Sequence, residues 1–108
     1  MTRRELRQRA DSFLRELVDL LAQLPRNEIA EWPEYPETPS IPLNVPEELA
    51  PHTFTLMKDT LPDGRIRVAV QRYRYRFLGI GNMMADGFFL QPDGSIQRFT
   101  EEDTWAVT

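Results

Sequence analysis

The chain has 108 residues, a formal net charge of −4, one histidine, no cysteine, and nine prolines against five glycines. The absence of cysteine excludes a disulfide framework, thiol catalysis and Cys-based zinc sites, and no apolar run nears the roughly 18 residues of a membrane span. Hydrophobic residues make up 41% and charged ones 28%, so one modest core in one cytoplasmic domain, residues 1–108, is expected.

Charge divides the chain into three parts. Residues 1–24 carry five arginines and four acids. Residues 25–52 carry one arginine, six glutamates and seven of the nine prolines. Residues 53–108 balance seven bases against seven acids. The pattern reads as a helix, an acidic Pro-rich connector, and a compact sheet.

In the first part Leu6, Ala10, Phe13, Leu14, Leu17, Val18, Leu21 and Leu24 recur at steps of three and four, which gathers them on one helical face. Charges interrupt this stripe throughout, unlike a secretory signal. Thr2 and Glu5 have capping-box spacing. Pro25 is the expected stop, since proline lacks an N–H and disfavours helical geometry in the residue before it. A helix of about 22 residues is roughly 33 Å long and must lie across a sheet or pair with a copy of itself.

The connector has Pro33, Pro36, Pro39 and Pro42 at the three-residue repeat of polyproline II. Asn27 and Asn44 are candidate caps of short turns at Glu28–Trp32 and Pro46–Ala50. Pro36-Glu-Thr-Pro39 fits the P-x-x-P pattern, but Trp32, Tyr35, Ile41, Leu43, Val45 and Leu49 are too apolar for a free linker. Wrapping over the domain surface is the favoured reading.

From Thr53 the period changes to two. Phe54, Leu56 and Lys58 share one side of a short strand, and Pro62-Asp63-Gly64 signals a hairpin. Along Arg65–Phe77 the bulky residues change parity from Ile66, Val68 and Val70 to Tyr73, Tyr75 and Phe77. That predicts a bulge near Gln71–Arg72, or a strand covered on both faces. Leu78–Asn82 reads as a bend, Gly87–Gln91 and Ser95–Thr100 as strands around a second Pro-Asp-Gly, and Thr100 with Asp103 as the cap of a final turn. The fold class is therefore α+β: a long N-terminal helix packed on an antiparallel meander of about four strands, with a wrapping connector between them.

Familiar chemistry falls away by elimination. Gly79-Ile-Gly81 lacks the third glycine and following helix of a dinucleotide site, and no phosphate loop is present. The Asp-Gly pairs at Asp63, Asp86 and Asp93 lack a calcium ladder. His52 stands with no nucleophile elbow near it, and no metal or cofactor is expected.

Two constellations remain. Arg65, Arg67, Arg72, Arg74 and Arg76 interleave with Tyr73 and Tyr75, the composition of a single-strand nucleic-acid platform. A pI near 5.0 argues against nucleic acid, and pairing of the arginines with the acidic connector is the simpler expectation. The aromatics Trp32, Tyr35, Phe77, Phe88, Phe89, Phe99 and Trp105, with Met83 and Met84, suit a small-molecule pocket or a dimer interface, and the dimer is the favoured reading. Phe88 and Phe89 must point to opposite faces of a strand.

The sequence thus predicts a small non-enzymatic, protein-binding adaptor that forms a homodimer. Arg72, Tyr73, Arg74, Tyr75, Arg76, Phe88 and Phe89 are its candidate contacts. The first alternative is a nucleic-acid accessory protein using strand 65–77. The second is a ligand-binding or enzymatic domain with an aromatic pocket near His52.

Overall fold

The computed structural model describes residues 2–75 and 81–107, with only the backbone of Tyr75. Helix α1 (Arg3–Leu21) starts where Thr2 accepts the Glu5 N–H at 3.1 Å. It buries Ala10, Leu14, Leu17, Val18 and Leu21, the stripe that the spacing predicts. It ends before Leu24, because the N–H groups of Gln23 and Leu24 donate to carbonyls three residues back, tightening the last turn. The Pro25 carbonyl then accepts from Glu28 and Ile29, and a second helix, α2 (Arg26–Glu31), follows at once.

Four strands form an antiparallel sheet in sequence order: β1 (Thr53–Thr60), β2 (Ile66–Tyr75), β3 (Gly81–Leu90) and β4 (Ile96–Arg98). The fold is α+β, with α1 packed on this sheet. Both Pro-Asp-Gly segments close hairpins in the same way. The Gly64 N–H reaches Leu61 O and the Gly94 N–H reaches Gln91 O, with φ of +90° and +89° that favour glycine.

Register is unbroken along the strands, from Thr53↔Tyr73 to Thr60↔Ile66 and from Ile66↔Leu90 to Tyr75↔Gly81. The bulge expected near Gln71–Arg72 is absent from this pairing. Instead the strand is covered on both faces, the other half of that expectation. Even-numbered strand residues make the inner face under α1: Leu56, Val68, Val70, Phe88 and Leu90 are buried there with Leu14, Val18, Ile29 and Trp32. The rings of Phe13 and Phe54 meet edge to face at 5.1 Å. Odd-numbered residues make the outer face, where Ala69, Ala85 and Phe89 are buried. A short helix, α3 (Glu101–Ala106), packs against β3, and its Thr100–Asp103 capping box forms as the spacing predicts.

The connector wraps the sheet along β1. Trp32, Pro39 and Leu49 are buried, while Tyr35 and Val45 are exposed. Neither Asn27 nor Asn44 caps a turn. Pro25 and Pro46 take those places, and Asn44 sits at a φ of 52°. The wrapping depends on Lys58, whose side chain is only 4% exposed. Its ammonium donates to Ala30 O and Trp32 O, both at 3.1 Å, and lies 2.5 Å from Glu34 Oε2. A buried cation on the last carbonyls of a helix suits the helix dipole. Beside it the Tyr35 N–H donates to Lys58 O, and Glu34 accepts the Thr60 N–H.

Lys58→Met should therefore cost about 1–3 kcal/mol, the scale of stranding buried carbonyls, and loosen Trp32 in fluorescence. The hydrogen bond from Lys58, then that from Thr60, holds the Glu34 carboxyl below its ordinary value. A lowered folded value adds stability above the ordinary glutamate range and loses it as pH falls through the folded value. Glu34→Gln should flatten that acid limb in a urea-midpoint series. An unchanged limb would detach Glu34 from the wrap.

Candidate functional site

The arginine strand was the sharpest sequence signal, and its side chains disperse on folding. Arg65 reaches back to Asp63 at 2.8 Å and covers the Phe89 ring at 4.5 Å. Arg67 makes a two-pronged contact with Asp59 on β1, at 2.9 and 2.6 Å. Arg72 faces inward and is 2% exposed. Its Nε lies 2.7 Å from Asp11 Oδ1 of α1, close but with the N–H poorly aimed along the contact. Its two Nη groups reach His52 Nδ1 at 3.1 Å and Asn82 Oδ1 at 2.6 Å.

Arginine can only donate, so His52 Nδ1 is the acceptor there and this contact requires a neutral ring. Burial pushes the Arg72 guanidinium down from its ordinary value, and the Asp11 carboxylate opposes that shift. None of these three arginines pairs with a connector glutamate, contrary to the charge-pairing expectation. The connector acids Glu34 and Glu48 go to Lys58 and Arg9 instead.

Parity separates the rest. Arg74, half-buried, follows Arg72 on the inner face, whereas Tyr73 stands on the outer face with its ring across Gly81. Tyr75 pairs with Gly81 in the backbone, and Arg76 and Phe77 lie outside the described residues. Phe88 is fully buried beneath α1. Phe89 packs against Phe99 with centroids 5.1 Å apart. Arg72, Phe88 and Phe89, three of the candidate contacts, are thus enclosed by their own chain.

Two hollows flank α3. One, of about 290 Å³, is lined by Tyr35, Met57, Asp59, Arg67, Ala69, Gln71, Ala106 and Val107. Its polar groups are engaged with one another: Arg67 with Asp59, and Gln71 Nε2 with Val107 O at 2.5 Å. The other, a cleft of about 490 Å³, is lined by Met83, Met84, Glu101, Thr104 and Trp105. Met83 is 41% exposed and Trp105 73%. His52 lines neither. No cluster of three or more metal-ligating side chains occurs among the described residues.

The cleft lies along a strand edge that is open among the described residues. β4 pairs only with Phe88–Leu90, and beyond it the Phe99 N–H donates to Gly87 O at 3.0 Å. In an antiparallel strand alternate residues aim N–H and C=O to the same side. Gly87 aims toward β4, so Gly81, Met83 and Ala85 aim that way too, and no β4 residue pairs with them. The opposite edge of the sheet, β1, is covered by the connector.

Sequence reading grouped Met83, Met84 and Trp105 by chemistry but missed the edge, because it placed a bend through Asn82. The ten-residue length of β2 was the available signal, since a long strand needs a long partner. No family model matches this chain, and neither do curated proteins or solved structures.

Proposed function

We propose that this chain is a non-catalytic binding domain that takes a protein partner in the cleft between β3 and α3. The observation that carries this reading is the exposed pair Met83 and Trp105 beside backbone at Gly81, Met83 and Ala85 that is unpaired on this side among the described residues. Exposed strand edges are normally blunted by charge, proline or a covering segment. β1 has such a cover. Methionine and tryptophan are also among the side chains enriched at interfaces.

The other readings find less support. A nucleic-acid strand needs charge and rings on one surface, yet Arg72 and Arg74 face inward and Tyr73 outward. On the outer face Arg67 and Tyr73 are about 20 Å apart at strand spacing. A small-ligand site near His52 draws no support from the two hollows beside α3, neither of which that residue lines. The expected homodimer rests on the parity change and on apolar surplus at Phe88 and Phe89. Within one chain, two-sided covering explains the first and packing absorbs the second.

Panning a random twelve-residue phage library against the chain should enrich peptides that bind with micromolar affinity. Met83→Ser with Trp105→Ser should weaken those peptides more than tenfold, while Arg74→Ala should not. A single-stranded twenty-nucleotide probe should bind no tighter than about 10⁻⁴ M at physiological salt. Peptide binding indifferent to the serine pair, or no enrichment at all, would refute the cleft.

A further inference from the structure

Resting on the binding-domain reading, we infer that the partner segment enters as an added β-strand that turns both apolar and basic side chains, at every second position, toward the cleft. Strand addition draws its affinity from main-chain hydrogen bonds and its specificity from pockets for every second side chain. The first requirement is met by the outward N–H and C=O groups of Gly81, Met83 and Ala85. The second is met by the cleft. A residue paired opposite Met83 shares its outer face, so its side chain stands over Met83 and toward Trp105, where an aliphatic group fits.

Charge chooses the rest of the segment. Glu101 lines the same cleft, and Glu102 is exposed on the same turn of α3, which carries no basic residue. Asp103 is occupied by the Thr100 cap. An exposed lysine or arginine near Glu101 is therefore favoured, and an acidic one is repelled. The same charge disfavours a second copy. Antiparallel pairing of two β3 edges would place both α3 turns on one side of the joined sheet, each with Glu101 and Glu102, in chains of formal net charge −4.

The test uses the full chain and a blocked eight-residue peptide whose cleft-facing positions carry valine and lysine in turn, with threonine at the positions between. Two counterparts accompany it: one with glutamate for lysine, and one N-methylated at alternate amides along its bonding edge. The valine–lysine peptide should bind in the micromolar range, shifting the amide signals of Met83 and Ala85. N-methylation should weaken it about tenfold or more through lost main-chain donors. The glutamate peptide should bind at least tenfold more weakly, and Glu101→Lys should reverse that preference.

Binding abolished by Met83→Ser with Trp105→Ser but indifferent to N-methylation would overturn strand addition while sparing the cleft. Equal binding of the lysine and glutamate peptides would overturn the charge assignment. Binding indifferent to the serine pair would overturn the binding-domain reading with it. No binding of the valine–lysine peptide at millimolar concentration would overturn the inference. So would a concentration-dependent dimer, seen in sedimentation, that occupies Met83 and Ala85.

Discussion

Arg72→Met is expected to lower the free energy of unfolding by about 3–5 kcal/mol, the cost of breaking a buried ion pair from one side. Domains of this size are stable by roughly 5–15 kcal/mol, so the loss should be plain in a urea titration. Three groups lose their partner together: the Asp11 carboxylate on α1 loses its counter-ion, and His52 at the end of the connector and Asn82 on β3 lose a donor. Arg72 thus ties α1, the connector and β3 to β2. Arg72→Lys should recover little, because one ammonium lacks the forked geometry that reaches all three. Adding Asp11→Leu to Arg72→Met should restore part of the loss by removing the stranded charge. A cost of Arg72→Met below about 1 kcal/mol would mean that water, not protein, already serves these groups.

Gly87→Ala should be nearly as damaging for a different reason. A Cβ there would press into the Val68 carbonyl oxygen and come within 2.8 Å of the Phe99 ring. Backbone cannot swing aside as a side chain can, so the cost belongs at the upper end of the ~1–3 kcal/mol range for overpacking. Gly81 is the useful contrast. There the three atoms nearest a Cβ all belong to the Tyr73 side chain, with Cε2 at 2.5 Å, and a ring can turn away. For a domain of this length each kcal/mol lowers Tm by roughly 4–8 °C. Gly87→Ala should therefore melt well below Gly81→Ala. Equal melting temperatures would show that the β2–β3 spacing adjusts to a methyl group.

The elements that were legible in sequence are those whose signal is local. The α1 stripe, the two Pro-Asp-Gly hairpins and the Thr100–Asp103 cap each depend on residues a few positions apart. The wrapping of the connector was legible too, from the apolar weight of Trp32 and Leu49. What could not be read depends on cross-strand partners. The parity change after Val70 suggested a bulge because tyrosines were counted as inner-face residues. In fact Arg72 continues the inner face, since Asp11 on a distant helix neutralises it. Charge counting likewise matched the arginines to the connector, yet their nearest acids are Asp63 in the adjoining turn, Asp59 across the ladder, and Asp11. Asn82–Asp86 has little strand character by composition and becomes a strand because β2 is there to pair with it.

Amide hydrogen exchange of the free chain, read residue by residue along β3, tests most directly whether this edge is open to a partner. The N–H groups of Asn82, Met84 and Asp86 donate across the ladder to β2, so they should exchange slowly. Those of Met83 and Ala85 face the cleft and should exchange far faster, giving an alternating profile from Asn82 to Asp86. Uniform protection across these five residues would mean that the edge is already occupied, and would contradict a strand-accepting site on β3.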